Sequence, residues 1–90
     1  MGKKTTVKMN KAVIEDASLS VEARMIYAVL ASKADGASEL RIALSELLDC
    51  LGMSRYRFAR HREQLIDAGL IEVEKDHTGA QGIEVTYKLI

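Results

Sequence analysis

Residues Leu44 to Ile71 read LSELLDCLGMSRYRFARHREQLIDAGLI, a helix, a three-residue turn, a second helix and an exit into a strand. Leu44, Leu47, Leu48 and Leu51 recur at spacings of three and four, which predicts a helix over 44–51 with one apolar side. Gly52 stands where a left-handed residue ends a helix, and Leu48 and Met53 are placed to clasp across it. Ser54 is then an N-cap for a helix over about 55–68, with Phe58, Leu65 and Ile66 facing inward. Gly69 repeats the glycine ending, with Leu65 and Leu70 as its clasp. A turn as short as Gly52-Met53-Ser54 makes the two helices cross and leaves the N-terminal half of the later one projecting.

The outward side of that projecting helix carries Tyr56, Arg57, Arg60 and Gln64, with Arg55 in its first turn. A projecting helix fits the major groove of duplex DNA, which is about 12 Å wide. An arginine fork donates two hydrogen bonds to guanine O6 and N7, or to a phosphate. Gln64 has the groups to pair with adenine, and Tyr56 to meet a phosphate or a thymine methyl. Backbone N–H groups at Ser54 and Arg55, at a helix N-terminus, suit a phosphate. One of His61 and Arg62 falls where the inward stripe passes between Phe58 and Leu65. His61 is therefore expected as a partly buried, hydrogen-bonded residue, and Arg62 as a stem lying on the core with its head reaching a phosphate or an acid of the helix over 44–51.

Upstream, Ser20 caps a helix running to about Ala34, with Glu22 in its first turn and Ala23, Ile26, Tyr27 and Leu30 along one stripe. Asp35-Gly36 ends it. Residues 39–43 read as a short strand, residues 10–17 as a helical turn around Val13 and Ile14, and residues 4–9 as a short β-prone N-terminal strand. Downstream, residues 70–74 and 83–89 alternate as the two strands of a hairpin, joined by a turn-rich loop over 76–82.

Ninety residues make one domain, spanning 1–90, with 1–5 as a basic tail. Thirteen basic and thirteen acidic side chains cancel to a formal net charge of zero, but they are not evenly spread. Lys3, Lys4, Lys8 and Lys11 open the chain without an acid, and Arg55, Arg57, Arg60 and Arg62 fall within eight residues without one. Residues 12–54 hold seven acids against Arg24, Lys33 and Arg41. Two basic islands in an otherwise acidic chain imply one positive face. Solubilising helix faces mix lysine and glutamate; four arginines with no acid favour an anionic partner.

No membrane span or signal peptide is expected. The single cysteine, Cys50, excludes an internal disulfide, fits a cytoplasmic setting and is expected as a small core residue. Cys50, His61 and His77 lack the spacing and the fourth ligand of a zinc site. Gly79 to Gly82 lies in a hairpin rather than opening a helix, so it is no nucleotide loop. No nucleophile, base and orienting group come together, so no enzyme, cofactor or small-molecule ligand is expected.

On these residues the chain resembles the winged helix-turn-helix superfamily over 20–89, the Leu-Gly-x-Ser turn and the Leu-x-x-x-Gly-Leu-Ile exit being its most specific parts. The implied fold is α+β, a three-helix core with a C-terminal hairpin wing. The front end, Val13-Ile14, Leu19-Ser20 and Ala23 to Leu30, is similar to the N-terminal domains of phage and plasmid replication initiators; small transcriptional repressors resemble it too. The resemblance implies sequence-specific binding of double-stranded DNA through residues 54–64, often as a homodimer. The expected contact set is Ser54, Arg55, Tyr56, Arg57, Arg60, Arg62 and Gln64, with Lys3 and Lys4 as a basic arm. The wing loop departs from the pattern in having no Lys or Arg. Two other readings stay open: a protein-docking winged helix, and an architectural or partition dimer on DNA.

Overall fold

A computed structural model describes residues 11–74, 77–79 and 82–90. Lys3, Lys4 and the strand expected over 4–9 lie outside the described residues. The chain is α+β, with helices α1 (Lys11–Ile14), α2 (Val21–Ala34), α3 (Leu44–Leu51) and α4 (Arg55–Asp67). Its strands are β1 (Glu39–Ala43), β2 (Ile71–Val73), β3 (His77–Gly79) and β4 (Gly82–Leu89).

The helix ends form where local chemistry places them. The Ser20 hydroxyl accepts from the Ala23 N–H, and the Ser54 hydroxyl from the Arg57 N–H, so each serine satisfies a donor that its helix leaves open. Gly52 is left-handed at φ 66°, and the Leu48 carbonyl accepts from both Gly52 and Met53. At the end of α4 the Leu70 N–H bonds the Leu65 carbonyl and the Gly69 N–H bonds that of Ile66, a full Schellman ending with Gly69 at φ 74°. In α2 the first left-handed residue is Asp35 (φ 51°), one before the glycine.

The sheet is antiparallel, with β4 between β1 on one side and β2 followed by β3 on the other. Glu39 pairs with Lys88 and Ala43 with Glu84 across β1–β4; Ile71 pairs with Leu89 across β2–β4. Val73 opposes Tyr87, whereas His77 opposes Glu84, so four steps along one strand match three along the other. β3 therefore lies within the segment expected to be loop, and only two residues separate it from β4. Alternation along each strand puts Leu40, Ile42, Ile71, Val85 and Tyr87 toward the helices.

Between sheet and helices lies one core. Ile26 and Leu30 of α2, Leu47 of α3, and Phe58 and Leu65 of α4 are closed to solvent against Ile71 and Tyr87. Phe58 meets Tyr87 edge to face, at 6.5 Å between centroids and 88° between planes, a pairing worth about 0.5–1.5 kcal/mol beyond area burial. Phe58 and Leu65 thus fix which side of α4 faces in. Cys50 is not a core residue: it is exposed. At 100° per residue it stands roughly 110° from the centre of the leucine arc, on the flank of α3.

Candidate functional site

The N-terminal half of α4 opens to solvent. Arg55, Tyr56 and Arg60 are exposed, Tyr56 at 75 %, while Phe58 between them is buried. Neither Arg55 nor Arg60 forms an ion pair with another described residue. Arg55 also lines a shallow apolar recess with Leu44, Leu48 and Ile83, where α3, the start of α4 and the base of the hairpin meet.

The electrostatics of this end run against helix chemistry. A helix N-terminus favours acids, and α2 and α3 oblige with Glu22 and Glu46 in their first turns. The first turn of α4 holds no acid and instead carries Arg55 and Arg57. Elsewhere the exposed charges are mixed. Arg41 pairs with Glu84 at 2.9 Å on the sheet, Lys33 pairs with Glu46 at 3.4 Å, and Lys88 lies in register between Glu39 and Glu72. Among the described residues the basic concentration belongs to α4.

The expected contact residues divide into those that face solvent and those that turn inward. Ser54 is exposed, its hydroxyl committed to the Arg57 N–H at 3.2 Å. Arg57 is half-exposed, with Nη2 3.8 Å from Oε2 of Glu22. The Arg62 guanidinium lies over the buried Phe58 ring, 5.7 Å from its centroid, and pairs with Glu63 of its own helix at 3.4 Å rather than with an acid of α3. Its Nε is buried and has no hydrogen-bond partner among the described residues. Gln64 faces α2 rather than open solvent: its Oε1 accepts from the Ser20 N–H at 2.9 Å.

His61 joins Gln64 in this seam. Its Nδ1 is 3.0 Å from Ser20 Oγ, and its Nε2 is 4.0 Å from Glu22 Oε2. Ser20 Oγ also accepts from the Ala23 N–H at 3.0 Å, so one hydroxyl serves both the helix cap and the histidine. Through these contacts α4 is tied to the first turn of α2 by hydrogen bonds spanning more than forty residues. Glu22 is the residue that sequence reasoning missed at this site. It reads locally as an acid complementing its own helix, and only the packing of α2 on α4 reveals that it also meets Arg57 and His61.

No group of three or more histidine, cysteine, aspartate or glutamate residues suited to a metal occurs among the described residues. No helix among them is long and apolar enough to cross a membrane. Comparison of the chain with known protein families, curated proteins and solved structures finds no match.

Proposed function

We propose that this chain is a winged helix-turn-helix protein that binds double-stranded DNA in a sequence-specific manner, with α4 lying in the major groove. The element order supports the reading: helix, strand, two helices joined by a three-residue turn, then a hairpin whose last strand sits between its neighbours. The observation that carries it is the solvent-facing first half of α4, residues 55–60, which carries Arg55, Arg57 and Arg60 and no acid. Arg55 and Arg57 stand in the first turn of α4, where the dipole disfavours cations, a local cost of the kind common at functional surfaces.

In this reading Arg55 and Arg60 meet phosphates or guanine edges, Tyr56 meets a phosphate or a thymine methyl, and the open N–H groups at the start of α4 meet a phosphate. Arg62 and Gln64 hold α4 in place and stand behind the contact surface. The chain serves as the DNA-binding domain of a replication initiator or of a transcriptional regulator. A homodimer on a two-fold or repeated site is consistent with either.

Selection of bound sequences from random duplexes, followed by titration of the selected site across salt, tests the proposal. With about four to six phosphate contacts per protomer, log affinity falls against log salt with a slope of roughly −0.9 per contact. Failure to bind any duplex at low salt overturns it. That outcome favours a protein-docking module, for which the exposed Tyr56 ring is the observation on hand.

A further inference from the structure

The three arginines of the α4 face do not have equal surroundings. Arg55 and Arg60 have no ion-pair partner among the described residues, whereas Arg57 has Glu22 of the neighbouring helix at 3.8 Å. Both members of that pair are accessible, with side-chain exposures of 50 % for Arg57 and 38 % for Glu22. Glu22 is itself held at the first turn of α2, next to the capped Ser20, and the same carboxylate oxygen stands 4.0 Å from His61 Nε2. Ser20 and Gln64 bond to each other across the same seam, fixing the two helices that carry the pair.

From this asymmetry we infer that Glu22 is a specificity-determining residue, which turns Arg57 into a reader of base edges and leaves phosphate binding to Arg55 and Arg60. The inference rests on the DNA-binding reading above. A guanidinium has five N–H donors in a fixed fork, and a carboxylate on one nitrogen leaves others to give. The neighbouring carboxylate offsets part of the charge of Arg57, so Arg57 gains less from a phosphate than an unpaired arginine does. Its remaining donors still match the uncharged acceptors of guanine, O6 and N7. Glu22 also repels any phosphate brought to the Arg57 side of the helix, which disfavours bare backbone contacts there. Arg55 and Arg60 keep their full charge and work on every sequence.

The experiment measures affinity and salt slope for the selected site and for a random duplex, with wild type and with Glu22→Gln, Arg57→Ala and Arg60→Ala. Thermal unfolding followed by circular dichroism verifies that each variant is folded, which the exposure of all three side chains favours. Arg57→Ala is expected to weaken the selected site by roughly 5- to 150-fold, the range of a base contact, while leaving random-duplex affinity and slope unchanged. Arg60→Ala weakens both duplexes alike and flattens the slope by about 0.9. Glu22→Gln strengthens random-duplex binding, steepens its slope by about 0.9 as Arg57 gains a phosphate, and narrows the gap between the two duplexes. The inference is overturned if Arg57→Ala behaves like Arg60→Ala, or if Glu22→Gln leaves the gap and the slope as they were. Wild type that binds all duplexes equally overturns it as well, while DNA binding itself stands. Wild type that binds none removes the reading on which it rests, a result visible before any variant is made.

Discussion

Two serines cap two helices in this fold by the same local device, and the surroundings give them opposite employment. Ser20 and Ser54 each accept a hydrogen bond from the N–H three residues on. Around Ser20 the polar groups turn to the protein: its N–H goes to Gln64, its hydroxyl also meets His61, and the acid of its first turn meets Arg57. Around Ser54 the serine is exposed, the next residues are two arginines and a tyrosine, and no acid follows in the first turn. A capping motif shows where a helix begins. Whether that beginning is joined to the rest of the protein or offered to a partner depends on what the fold packs against it.

The largest effect that separates the two ends is on stability. Ser20→Ala removes a cap and a partner of His61, an expected loss of about 1–2 kcal/mol in urea unfolding. Ser54→Ala removes a cap alone, in solvent, with an expected loss of about 0.5–1 kcal/mol. Equal losses would mean that the seam between α2 and α4 adds nothing to Ser20.

Reversing a charge sharpens the contrast with a smaller energy but a change of sign. Arg55→Glu puts an acid where the dipole of α4 favours one, so unfolding should show a gain of about 0.3–1 kcal/mol. The same change should abolish duplex binding in a mobility-shift assay. A variant both less stable and still binding would contradict the view that α4 gives up local stability at its exposed end.

The smallest effect belongs to the approach to α2. Asp16 Oδ1 accepts from the Ser18 hydroxyl at 2.6 Å and from its N–H at 2.9 Å, and these bonds hold the Asp16 carboxyl below its ordinary pKa. A carboxylate favoured in the folded state contributes stability that is complete above the ordinary carboxylate range and is lost as pH falls through the lowered value. Thermal unfolding of wild type and Asp16→Asn, followed from neutral pH into acid, should therefore show a small difference that closes at the acid end. A difference that widens toward acid would invert the sign of the linkage.

Much of the fold was legible because its determinants are local. Ser20, Ser54, Gly52 and Gly69 each mark a boundary through their own backbone chemistry, and the stripe from Ala23 to Leu30 and the pair Phe58 and Leu65 mark the buried sides. Contacts made at long range were less readable. Gln64 has the donors and acceptors for a base and sits on a basic helix, yet its partner is a backbone N–H 44 residues away. Glu22 needs only its own helix to be explained until α4 is laid beside it. Cys50 is apolar in type, but four leucines already fill the inward arc of an eight-residue helix. Residues 77–79 fall in a stretch, 76–82, that reads as a turn-rich loop, and pairing to β4 makes them a strand nonetheless.

The position of β4 has a kinetic consequence. β1 and β2 do not pair with each other; each is completed by β4, which follows both in the chain. The β1–β4 pairs join residues 41 to 49 positions apart, from Ala43↔Glu84 to Glu39↔Lys88. Loops of that size close slowly compared with helix formation, and their entropic cost precedes any reward from pairing. Helices can flicker into place early, but the sheet, and with it the floor beneath Phe58, forms in one late step that needs residues 82–89. A chain interrupted before those residues would hold α4 and its arginines without the surface that orients them.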